Sequence, residues 1–180
     1  MLQIVVPAAE YWDEKKEEFV SYKEQTLQLE HSLVSLSKWE SKWCKPFLSK
    51  EDKTYEETVD YIKCMTITQN VNPEVYERLS KKNIDDVNEY IKAPMTATTF
   101  SDDKSKKHSR DIITAEVIYY WMIAYNIPQE YQKWHLNRLT TLIKVCDIMN
   151  RPPKKRSQKD ILSDYAALNA ARRKKFNSKG

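Results

Sequence analysis

Apolar residues along this 180-residue chain recur mostly at helical spacing and alternate only near the N-terminus. Residues 2 to 6 (Leu-Gln-Ile-Val-Val) and residues 19 to 31, where Leu27 and Leu29 alternate with Gln28 and Glu30, predict two short strands. Pro7 and the charged run 13 to 18 predict the polar turn between them. A two-stranded ribbon is marginal by itself, so it must pack on a larger body. Leu33, Leu36, Trp39 and Trp43 then share one helix face from Ser32 until Pro46 stops it.

The rest of the pattern is helical. Thr54-Tyr-Glu-Glu57 is a capping box, in which hydroxyl and carboxylate satisfy reciprocal backbone donors, and it opens a helix to about Thr68. Asn72-Pro73 supplies an N-cap and a first-turn proline for a short helix to Leu79. Ile84, Val87 and Ile91 mark another, ending before Pro94. Residues 94 to 109 have no period and predict a surface loop. Ser109 is the expected cap of a central helix over residues 111 to 126. Its stretch from Val117 to Tyr125 is apolar on every face and predicts enclosure by other helices. After Ile127-Pro128 a second long helix carries Tyr131, His135, Leu139, Leu142, Cys146 and Met149 as its stripe, until Pro152 and Pro153 end it. Ser157 with Asp160 opens a last helix lined by Ile161, Tyr165 and Leu168. The expected fold is mainly α: a single helical domain over residues 1–150 with a short N-terminal β-ribbon, followed by a basic C-terminal helical arm over residues 151–180.

Composition narrows the chemistry. The one glycine is Gly180, where average usage would place roughly a dozen. Dinucleotide turns, phosphate-binding loops and nucleophile elbows need glycine at fixed spacing, because only glycine admits the close backbone approach, so those enzyme families are excluded. At 41% hydrophobic and 31% charged, the chain reads as a soluble globular protein rather than a disordered or membrane one. Its longest apolar stretch is too short to cross a bilayer, and residues 1 to 9 lack the basic start of a secretory signal, so the expectation is a cytoplasmic protein.

Potential catalytic groups are sparse. Cys44, Cys64 and Cys146 have neither disulfide nor zinc spacing and read as small buried thiols. His135 has no second ligand one turn away and reads as a satisfied side chain, while His108 lies in a lysine-rich loop. The pairs Asp85-Asp86 and Asp102-Asp103 read as helix-dipole partners or solvated surface. No catalytic residue, metal site or cofactor is therefore assigned.

Two features point to protein partners. Trp39 and Trp43 are one turn apart; a buried stripe is the first explanation, and an exposed pair would make a binding face, since tryptophan anchors interfaces. Charge is also uneven: residues 151–180 hold ten basic side chains against two acidic ones, whereas residues 1–150 hold twenty against twenty-four. Arg172, Arg173, Lys174 and Lys175 with Tyr165 form a second candidate contact element. Without interleaved aromatics for base stacking, solvation or protein docking fits this tail better than nucleic acid.

The stretches LEHSLVSLSKWESKW (29–43), YYWMIAYNIPQEYQKWHLNRLTTLIKVC (119–146) and ALNAARRKKFNSKG (167–180), with MLQIVVP (1–7) and TVDYIKCMTITQNV (58–71), resemble a family of small proteins of tailed bacteriophages and prophages, the tail assembly chaperones. The resemblance covers nearly the whole chain. It implies a non-enzymatic protein of the host cytoplasm that binds the tape measure protein and keeps it soluble while tail tube subunits assemble. Trp39 and Trp43 are then expected client anchors, with the basic helix as a second contact and self-association as a further possibility. A virion structural or connector protein is the alternative, and a DNA-binding protein using the basic arm is a second one.

Overall fold

Strand β1 (Leu2–Val6) pairs antiparallel with β4 (Gln25–Leu29), and β2 (Ala9–Asp13) pairs antiparallel with β3 (Glu18–Tyr22). These contacts come from a computed structural model, which describes residues 1–13, 17–100, 112–152 and 158–177. Val6 faces Gln25 and Ala9 faces Tyr22, so two residues on each strand separate the ladders and the register carries straight across the gap. The four strands are one long hairpin interrupted at Pro7, which has no N–H to donate. The turn expected over residues 7 to 18 is shorter than its composition suggested, because Tyr11 and Trp12 extend the ribbon as β2.

Six α-helices follow among the described residues: α1 (Leu33–Trp43), α2 (Tyr55–Met65), α3 (Lys81–Lys92), α4 (Ala115–Ala124), α5 (Leu136–Asn150) and α6 (Gln158–Phe176). The architecture is mainly α with an N-terminal antiparallel ribbon, as the sequence predicts. Thr54 and Glu57 cap α2 reciprocally, and Ser32 with Ser35 and Ser80 with Asn83 do the same for α1 and α3. Pro73–Arg78, capped by Asn72, is a 3₁₀ helix rather than an α-helix, and Gln129–Lys133 is another. The second long helix therefore starts later than its stripe suggested. Its buried positions are Leu136, Leu139 and Ile143, while Met149 stands in solvent. The expected caps Ser109 and Ser157, the acids Asp102 and Asp103, His108 and most of the 94 to 109 loop lie outside the described residues.

The chain divides into two units, Met1–Asp147 and Ile148–Gly180. In the first, one face of the ribbon, Ile4, Val6, Leu27 and Leu29, is buried with Leu33, Leu36 and Trp39 of α1 and Tyr61, Ile62 and Met65 of α2. Backbone bonds stitch these elements together: Glu30 N–H to Met65 O (2.9 Å), Ile67 N–H to Gln28 O (2.8 Å) and Leu136 N–H to His31 O (2.7 Å). His31 and Tyr61 share a 2.5 Å hydrogen bond inside this core. In the second unit, every described side chain of α6 is exposed.

Left-handed bends fall to other residues in a chain this poor in glycine. Glu17, Cys44, Asn70, Met95, Asn126 and Asn177 adopt positive φ. Cys44 ends α1 this way at φ 51° and ψ 35°, and its side chain is exposed. Cys64 and Cys146 are half-buried. The expectation of three buried thiols is thus corrected, since Cys44 serves as the helix C-cap and a cap stands at the surface.

Candidate functional site

Trp39 does not reach solvent. It is 1% exposed, its indole N–H is donated to Glu57 O (2.9 Å), and its ring meets Phe47 edge to face at 5.1 Å. This corrects its assignment as a client anchor: the i, i+4 face of α1 that carries it is the face turned into the core. Trp43 stacks on it at 6.1 Å, is half-buried, and donates its own N–H to Asp60 Oδ2 (2.9 Å). Burial opposes the charge of Asp60, but Lys42 and Trp43 outweigh it and hold the carboxyl below the usual carboxylate range. The pair is a structural joint between α1 and α2.

Helix α4 behaves differently from its expected enclosure. Its N-terminus is fixed by Glu40 of α1, whose buried Oε2 accepts the Ala115 N–H (2.7 Å), because Thr114 at the N-cap makes no side-chain cap. Ala115, Ile118 and Met122 form the buried stripe. Steps of about 100° per residue then place Ile123, Glu116, Tyr120, Ala124, Val117, Trp121 and Tyr125 in that order around the remaining surface. Glu116 is the one charged member of that arc. Tyr120 is 66% and Ile123 76% exposed, although both belong to the most apolar stretch of the chain.

On another side of α4, toward α5, lies a cleft of about 330 Å³. Trp121, Tyr125 and Ile143 supply its apolar wall, and Thr140, Lys144 and Asp147 its polar rim. The Tyr125 hydroxyl donates to Asp147 Oδ1 (3.2 Å), and the Lys144 ammonium sits 3.8 Å from the Phe100 ring centroid. Tyr120 and Ile123 form one exposed apolar surface, and the cleft, about 150° away around the helix, is a separate apolar wall with a polar rim. That is the form taken by grooves that receive one face of an amphipathic helix. The sequence does hold the signal for Tyr120, Ile123, Trp121 and Tyr125, namely a helix apolar all round, but periodicity has no means of telling a covered face from an uncovered one.

Of the other expected contact residues, Tyr165, Arg172, Arg173, Lys174 and Lys175 are all exposed on α6. Tyr165 and Arg172 fall on one stripe with Leu162, Leu168 and Phe176, whereas Arg173, Lys174 and Lys175 surround it.

The two described histidines lie in the core. His135 Nδ1 accepts the Asn137 N–H (3.3 Å), so its proton sits on Nε2, which is directed to Tyr90 O (3.1 Å). Burial lowers the affinity of both for protons, His31 to a pKa of about 3, with the charge of His135 adding to the effect. No group of three or more His, Cys, Asp or Glu side chains suited to a metal ion occurs among the described residues. Among them, too, no helix is long and apolar enough to cross a membrane.

Comparison with protein-family models, with curated proteins and with solved structures returns no match to this chain.

Proposed function

We propose that this chain is a non-enzymatic tail assembly chaperone of a tailed bacteriophage or prophage, which binds the tape measure protein in the host cytoplasm and screens it until the tail tube surrounds it. The observation that carries the binding half of this reading is the uncovered face of α4. A helix with the composition of a core element leaves Tyr120 and Ile123 in solvent, and a different side of it lines an aromatic cleft. Exposed apolar ground of this kind marks an interaction site. The identity of the client rests on the resemblance carried by residues 29–43, 58–71, 119–146 and 167–180. A tape measure protein, long and helical, would present repeated apolar faces of the sort these surfaces accommodate.

The test is an affinity pull-down of the tagged protein from cells producing the whole phage, with nuclease present, read by mass spectrometry beside an assay of purified virions. The expected result is recovery of the tape measure protein by the wild type, its loss in a Tyr120→Ser/Ile123→Ser variant that folds normally, and absence of the chain from virions. Presence of the chain in mature particles without that client would replace this reading with a structural or connector role.

A further inference from the structure

The tip of the ribbon carries an exposed aromatic pair. Because the register is unbroken across Pro7, the face that buries Ile4, Leu27 and Leu29 continues into the tip as the cross-strand pair Trp12 and Phe19. At the tip this face is open, whereas the opposite face is partly covered at Ala9, Val20 and Tyr22. Phe19 is 71% exposed, Trp12 is exposed as well, and the two rings meet edge to face at 4.9 Å. The surroundings are acidic: residues 9–24 carry six acidic side chains against three lysines, and Glu10, Glu17 and Glu18 are exposed.

Helix α6 has the complementary character. Leu162, Tyr165, Leu168 and Phe176 make an exposed apolar stripe on a helix in which residues 158–176 carry five basic side chains against two acidic ones. Most helix stability in proteins comes from packing such a stripe, and no described side chain of this helix is covered. An acidic aromatic face and a basic apolar helix of matching, opposite net charge are thus each open within their own unit.

We infer that the exposed ribbon face around Trp12 and Phe19 is the docking site for helix α6 of a second copy of this chain. The contact is head to tail, since the two surfaces are different. Reciprocal exchange of arms closes a pair of copies, and one-way contact extends into a larger ring or an open chain. Charge steers the encounter, so salt weakens it, while the aromatic pair supplies the anchor. The inference is independent of the client reading, which concerns α4.

Sedimentation velocity on the full chain over a micromolar concentration series tests it. The wild type is expected to self-associate at low ionic strength, to a closed pair or beyond, and to fall back to the monomer in high salt. A ribbon variant, Trp12→Ala/Phe19→Ala, and an arm variant, Tyr165→Ala/Leu168→Ala, each weaken assembly by about tenfold or more. Mixed together, the two variants form a capped pair of twice the monomer mass and nothing larger, because only one intact ribbon and one intact arm can meet. All the changed side chains are exposed, and circular dichroism verifies that folding is retained. Charge reversals, Glu10→Lys/Glu18→Lys with Arg172→Glu/Lys175→Glu, give a second pair that fails alone and assembles when mixed. A wild type that stays monomeric, variants that assemble like the wild type, or mixtures that remain monomeric would each overturn the inference.

Discussion

The imidazole of His31 meets that of His135 edge to face in the core, with ring centroids 5.1 Å apart. Both rings are neutral when folded, since burial resists their charging. In the unfolded chain a histidine takes up its proton near pH 6.5, whereas folded His31 resists down to about pH 3. The folded pKa is the depressed one, so the stabilisation is fully present above the unfolded value and is lost as the pH falls toward the folded one. Each pH unit in that window removes about 1.4 kcal/mol for His31 alone. Urea unfolding between pH 7.5 and 5, above the carboxylate range, is expected to show the midpoint dropping below pH 6.5. A flat profile would contradict the neutral core pair.

Glu40 joins two distant segments by accepting both the Phe47 N–H (2.8 Å) and the Ala115 N–H (2.7 Å). Glu40→Ala orphans two buried donors, with an expected loss of about 2 to 5 kcal/mol. Glu40→Gln keeps one acceptor oxygen and is expected to lose less. Chemical denaturation of the three proteins gives the ordering directly.

Trp39 and Trp43 separate by burial. Trp39→Ala removes a core ring and is expected to cost about 3 to 5 kcal/mol. Trp43→Ala should cost less, because that ring is only partly buried. Differential scanning calorimetry distinguishes the two. Equal, negligible losses would mean that neither ring belongs to the core.

Arg78 braces the break in the ribbon. It donates from Nη1 to Pro7 O (2.8 Å), and its guanidinium lies 4.8 Å from the centroid of the Tyr22 ring. Arg78→Ala is expected to speed amide exchange in β2 and β3 while leaving β1 and β4 protected by their buried side chains. Uniform protection along all four strands would show that the brace carries no weight.

Local chemistry made much of this fold legible. The capping box at Thr54, the Asn72-Pro73 start and the alternation at Leu27 and Leu29 each report on a neighbourhood of a few residues, where spacing decides structure. What escaped depended on distant partners. Nothing near Thr114 announces that Glu40, far away in the chain, caps α4. Nor does the apolar run from Val117 to Tyr125 say how much of its circumference the other helices cover. The tryptophan pair illustrates the converse: a spacing that suits a buried stripe first and an interface second was settled for Trp39 by Glu57 O and Phe47 closing over it.

The bends at Cys44 and Met95 hold side chains with a Cβ where a bare backbone would turn freely. Each works against its own preferred geometry by about 1 to 2 kcal/mol, so the native state is kept in shape by the packing around those turns rather than by the turns themselves. A protein wound in this way keeps untapped headroom for reinforcement: relaxing its corners can stiffen the scaffold without touching either of its open faces.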